Sequence, residues 1–176
     1  DKELAFRRHF PAINWLLSFS RYVDQLRVFW EKYDPEFPLI RGDAISILEE
    51  SSRIEHIARI VGERALPEDQ RLILFMAELI REGFLIQNAY HEVDTYCPAE
   101  KQAKMLRILV EFYKMAKPLV AKGVPVDRIR ELKVVVDLMR MKEHPKLSFL
   151  DEVERRVREQ LSSLASEYGL EVKYEG

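Results

Sequence analysis

The sequence predicts an all-α domain, a bundle of about five to seven helices preceded by a short extended piece. Three observations carry that expectation. Apolar residues recur at three- and four-residue spacing through most of the chain. Several of its glycines and prolines fall where those runs should start or stop. No internal stretch sustains the apolar–polar alternation of a half-buried strand; only the first dozen residues and the closing GLEVKYEG leave room for one.

Tyr22, Val23, Leu26, Phe29, Trp30 and Tyr33 follow helical spacing, and Asp34, Pro35 and Pro38 break that segment. Asp43 suits the N-cap of a second helix carrying Ile45, Leu48, Ile54, Ile57 and Val61, closed by Gly62. Pro67 opens a third, followed by Glu68 and Asp69. Proline in the first turn sacrifices no hydrogen bond, and acids favour the positive helix end. Its core positions are Leu72, Phe75, Met76, Leu79 and Ile80.

Pro98 and Glu100 start a fourth helix with Met105, Leu106, Leu109, Phe112 and Tyr113, which Pro118 should kink or end early. Pro125 and Asp127 begin a shorter segment with Ile129 and Leu132. The last helix repeats Leu150, Val153, Val157, Leu161, Leu164 and Tyr168 at nearly heptad spacing.

Composition narrows the functional classes. The 176 residues are long enough for one domain with its own core, and 47% apolar with 33% charged residues describes a water-soluble chain. A net charge of -2 argues against nucleic-acid binding. No apolar run approaches the roughly 18 residues of a membrane span, and the start of the chain does not read as a signal peptide. A single cysteine rules out an internal disulfide framework and suits a reducing compartment. The chain does not begin with Met, as a piece of a longer protein need not.

The chemistry-bearing motifs are few. No glycine pair precedes Lys and Ser or Thr, so there is no P-loop. His9, His56, His91 and His144 make neither a His-Glu-x-x-His motif nor the Glu-x-x-His spacing of di-iron bundles. His91, Glu92, Asp94 and Cys97 could converge on a metal, but a helix-to-helix connection capped by Asp94 or Thr95 is the favoured reading. Cys97 as a nucleophile needs a base and a lowered pKa, which a helix N-terminus could favour, but its place just before Pro98 is also common for an inert residue. The charges from Glu152 to Glu159 read as a solvated helix face, and Arg7, Arg8 and His9 are too few for a nucleic-acid surface. On these residues alone the chain is a helical interaction module with no stated partner.

Two strings go further. RRHFPAINWLLSFSRY (residues 7–22) and QNAYHEVDTYCPAEKQ (residues 87–102) do not arise from helix periodicity. With Ala65-Leu66-Pro67 and Arg140-Met141-Lys142 in the same order and similar spacing, they resemble the C-terminal part of the catalytic A subunit of V/A-type rotary ATPases, the archaeal A-type most closely. The resemblance covers nearly the whole chain. It implies that residues 1–18 are the tail of a nucleotide-binding domain and residues 19–176 the helical C-terminal domain. It also implies that the P-loop and catalytic glutamate lie outside this sequence, so that the chain by itself holds no catalytic residue and no metal ligand and should be inactive.

By the same resemblance, Phe10 and Tyr90 would hold an adenine ring, with Gln87, Asn88 and Ala89 beside it. A planar π face gives affinity, while amides and backbone satisfy the base edge. ATP or ADP with Mg would be bound by the full-length subunit, with no cofactor expected in this chain alone. The implied partners are noncatalytic B subunits in an alternating A/B hexamer and the subunits of the central stalk, with no nucleic acid and no direct membrane insertion. The implied location is cytoplasmic, in the peripheral part of a membrane-bound complex that makes or hydrolyses ATP while moving ions. Tyr90 stands where phenylalanine is more usual. Arg21 stands where noncatalytic subunits carry an arginine finger, and it reads here as a surface or interface arginine. It is the best argument for one alternative, the equivalent region of a B-type subunit, which QNAYHEVDTYC opposes. A free-standing helical interaction module is a separate alternative. Arg128, Arg130, Arg140, Lys142 and Glu143, beyond Gly123, are the candidates for facing the shaft.

Overall fold

A computed structural model describes Arg21, Asp24, Glu31, Lys32 and residues 34–85 and 99–172 of the chain. Six α-helices lie within it: α1 (Phe37–Val61), α2 (Glu68–Ile80), α3 (Ala99–Ala121), α4 (Val126–Arg130), α5 (Val134–Arg140) and α6 (Ser148–Glu167). Arg21, Asp24, Glu31 and Lys32 are helical as well. No strand occurs among the described residues, so the all-α expectation holds.

Helix α1 starts earlier than its sequence suggests. Asp34 is the true start signal: its side chain accepts from Glu36 N–H at 3.0 Å and its carbonyl from Phe37 N–H at 3.0 Å. Pro38 then sits in the first turn, where a missing N–H leaves no helical bond unmade. Asp43 is therefore a mid-helix residue, not a cap, and pairs with Lys114 at 2.8 Å. The buried stripe is Phe37, Ile40, Ala44, Ile47, Leu48, Ser51 and Ile54, at helical spacing. Ser51 satisfies its hydroxyl on the Leu48 carbonyl at 2.8 Å. Beyond Ile54 the helix projects past the core, leaving Ile60 and Val61 exposed, so the expected burial of Val61 fails.

Helices α1, α2 and α3 pack on one another, and α6 packs on α3 and also on α5. Leu72, Phe75, Met76, Leu79 and Ile80 are all buried, as the spacing predicts. Phe75 meets Phe112 edge to face, ring centroids 6.4 Å apart. Leu150, Val153, Val157, Leu161 and Leu164 form the buried face of α6, while Tyr168 lies past its end and is partly exposed.

Pro118 does not end α3, which continues to Ala121. It lies on an exposed face within the last turn, so the carbonyl deprived of a partner can meet water. The stop comes at Gly123, with φ +102°: Val124 N–H bonds the Leu119 carbonyl and Gly123 N–H the Val120 carbonyl, and Val124 is buried. That is the left-handed glycine termination which returns the chain to the core.

The short helices have caps supplied from a distance. Glu68 at the start of α2 accepts from Val126 N–H at 2.7 Å, and Gln160 of α6 accepts from Val134 N–H at 2.9 Å. Arg107 of α3 grips Asp34, with Nε to Oδ2 at 2.8 Å, and reaches Glu36 at 3.0 Å, tying α3 to the start of α1. The Asp34 carboxylate holds the Arg107 guanidinium above its ordinary pKa.

One contact on α6 is unfavourable at neutral pH. Burial, with the Glu111 carboxylate beside it, pushes the Glu154 carboxyl above its ordinary value, although Arg158 lies 2.9 Å away. A raised native pKa means that the folded form binds the extra proton, so this contribution to stability is present at low pH and lost as pH rises through the carboxylate range. Glu154→Gln is expected to raise the melting temperature slightly at pH 7 and not below the carboxylate range. Thermal melts at the two pH values check this.

Candidate functional site

Phe10, Gln87, Asn88, Ala89 and Tyr90 lie outside the described residues, as do His91, Glu92, Asp94, Cys97 and residues 1–18. What the structure describes is the frame from which residues 86–98 spring. On one side α2 runs into a π-helical turn, Arg81–Leu85. Such turns insert a residue into the helical ladder and are frequent at functional sites. On the other side the chain resumes as α3 at Ala99.

Both ends of that frame are pinned to the corner between α5 and α6, where a 3-10 turn spans Met141–Glu143. Lys101, in the first turn of α3, is buried and donates from Nζ to the carbonyls of Lys142 at 2.6 Å and His144 at 2.7 Å. Lys142, also buried, donates from Nζ to the Glu82 carbonyl within the π turn at 2.8 Å. Gly83 is tighter still. A Cβ there would stand 2.7 Å from the Leu138 carbonyl oxygen, so only glycine lets the π turn approach the backbone of α5 this closely. Phe84 is buried in the core next to it.

Arg81 secures the outer side of the same turn through Glu55 at 2.7 Å. His144 stacks on Phe149, ring centroids 4.1 Å apart, holding the corner against α6. The carbonyl–ammonium bonds join the π turn, the first turn of α3 and the α5–α6 corner. No group of three His, Cys, Asp or Glu residues that could hold a metal occurs among the described residues.

Sequence reasoning misses Lys101 and names Lys142 only as a candidate for facing the shaft, although a signal for Lys101 exists. Lys101 lies four residues before Met105 and eight before Leu109, on the buried stripe of α3. A lysine at a core position must have carbonyl or carboxylate partners, and the Lys142 and His144 carbonyls are among those of Lys101.

A model of the family described as "C-terminal domain of V and A type ATP synthase" matches residues 26–130. The chain is 47% identical to the A subunit of the A-type ATP synthase of Methanopyrus kandleri over 171 residues, 95% of its own length and 29% of the relative's. It is 42% identical to the corresponding A subunit of Thermococcus sibiricus over 96% of its length and 29% of the relative's. Against that of Pyrococcus abyssi it is 44% identical over 96% of its length and 17% of the relative's. The chain belongs to the C-terminal domain family of V and A type ATP synthases.

Within this family the chain resembles the A subunits, which supports the catalytic-subunit reading over the noncatalytic one. It spans less than a third of the length of these relatives. The residues considered for a moving contact divide in the structure. Lys142 is buried in the frame, and Arg130 is committed to Glu78 at 3.1 Å and to the Phe75 ring at 4.7 Å. Arg128 pairs with Glu167 at 2.6 Å yet stays exposed, and Arg140 is the most open of the set, with 73% of its side chain accessible. No described helix is long and apolar enough to cross a membrane.

Proposed function

We propose that this chain is the helical C-terminal domain of the A subunit of a rotary, ion-translocating V/A-type ATPase, and that it completes the adenine pocket and couples nucleotide state to the central stalk. The observation that carries the reading is identity above 40% to the A subunits of A-type ATP synthases over almost the entire chain. Residues 1–18 are then the tail of the nucleotide-binding domain and residues 19–176 the helical domain. Phe10 and Tyr90 stack on adenine, and Gln87, Asn88 and Ala89 line its edge.

The reading leaves phosphates and Mg to the rest of the full-length subunit, since this sequence carries no P-loop motif. This chain's share of ATP binding is restricted to the base, and alone it is expected to show no ATPase turnover. The assembly is an alternating hexamer with noncatalytic B subunits on the cytoplasmic side of a membrane, surrounding a central stalk.

The contact with the stalk falls beyond Gly123, and the exposed Arg140 on α5 is its first candidate. A sliding contact suits charged groups better than a large dry patch. In the assembled complex Arg140→Cys is expected to cross-link to a central-stalk subunit, with a yield that changes when ATP is added. Cross-links to other subunits alone would place this face away from the shaft and remove the coupling role.

A further inference from the structure

Where the end of α2 meets the α5–α6 corner, neither side is regular α-helix. The end of α2 is the π turn Arg81–Leu85, and the corner holds the 3-10 turn Met141–Glu143. Single turns of these kinds carry few helical bonds of their own and depend for their shape on what grips them.

Two grips join the turns directly, and both are buried. Lys142 donates from Nζ to the Glu82 carbonyl at 2.8 Å. Gly83 approaches the end of α5 so closely that a Cβ would stand 2.7 Å from the Leu138 carbonyl oxygen. Lys101, in the first turn of α3, holds the same corner through the carbonyls of Lys142 and His144. The other side of the π turn belongs to α1, through Arg81 and Glu55 at 2.7 Å.

The helices on either side are held differently. Leu72, Phe75, Met76, Leu79 and Ile80 anchor α2, and Leu150, Val153, Val157, Leu161 and Leu164 anchor α6. Long apolar faces of this kind open only with the whole domain. A junction resting on a polar bond and a close backbone approach opens at lower cost.

We propose that the π turn and the α5–α6 corner form a latch: they close on each other and open together, while α2, α3 and α6 stay folded. Opening lets water reach the Lys142 ammonium and separates Gly83 from Leu138. The Arg81–Glu55 pair keeps the turn on α1 throughout. The latch makes the seating of the corner against α1 and α2 a two-state property of the domain.

Hydrogen–deuterium exchange of the complete subunit, read by mass spectrometry, tests this with wild type, Lys142→Met and Gly83→Ala. Methionine keeps the unbranched stem of Lys142 and removes its donor. Alanine keeps both lysines and pushes the turn away from Leu138. Each variant is expected to speed exchange about tenfold in both segments, 81–85 and 141–144, the scale of one lost charge-assisted bond. Exchange within 68–80 and 150–164 should stay within about twofold of wild type. The cross effect is decisive: Gly83→Ala leaves Lys142 in place and yet must loosen the corner.

Faster exchange confined to the substituted segment would make the grips separate contacts and overturn the latch. An even rise through every helix, or no change in either segment, overturns it as well. If only one variant folds, it decides alone. If neither folds, the junction is part of the global core and there is no latch.

Discussion

Replacing Phe75 by alanine is expected to destabilise the helical domain by about 3–5 kcal/mol, the range for removing a fully enclosed aromatic ring. Phe75 is 1% exposed on α2, meets Phe112 of α3 edge to face, and carries the Arg130 guanidinium over its ring. Truncation therefore opens a cavity between α2 and α3 and also strips Arg130 of its aromatic partner. Marginal stability of about 5–15 kcal/mol for a domain makes this a large fraction of the total. Urea unfolding followed by far-UV circular dichroism measures it. Phe75→Leu, which fills much of the cavity, should recover a good part of the loss, and a Phe75→Ala loss below about 1 kcal/mol would show that the three-helix core is not assembled as described.

The adenine assignment leads to a comparably large effect on binding. In the complete subunit Tyr90→Ala should weaken ATP by roughly 1–3 kcal/mol, the usual range for base–aromatic stacking, or about 5- to 150-fold in dissociation constant. Tyr90→Phe should be nearly silent, because the π face survives and only a hydroxyl is lost. Inorganic triphosphate has no base and should bind all three proteins alike. A packing role for Tyr90 would instead weaken both ligands together and lower the melting temperature. Equal ATP affinities for wild type and Tyr90→Ala would end the assignment.

The core of the domain is legible in the chain. Spacing alone puts Leu72, Phe75, Met76, Leu79 and Ile80 on one inward face and Leu150, Val153, Val157, Leu161 and Leu164 on another, and all of them are buried. Periodicity suffices there because a helix presents a residue every 100° whatever packs against it. The boundaries are less legible. Asp43 and Pro38 carry the right residue types for a start and a break, yet both lie inside α1, because Asp34 has already capped the turn and Phe37 has a core to enter. Glu68 and Gln160 cap α4 and α5 from other helices, and no local pattern announces such a pairing.

By itself the sequence determined the helical class, the inward faces of the main helices and, through two strings that helix spacing does not require, the family. These follow from local chemistry: a 3.6-residue period, turn residues at the ends, and short motifs read in order. Only the tertiary structure decided which charges are exposed and which are buried. Lys142 and Arg140 stand two residues apart in one charged run, yet one is sealed against the Glu82 carbonyl and the other open to solvent. The physical reason is that a lysine's fate depends on which carbonyls come within reach of its ammonium. The carbonyl that Lys142 meets belongs to a residue 60 positions away in the chain. It becomes a neighbour only when α2, α3 and the α5–α6 corner have packed.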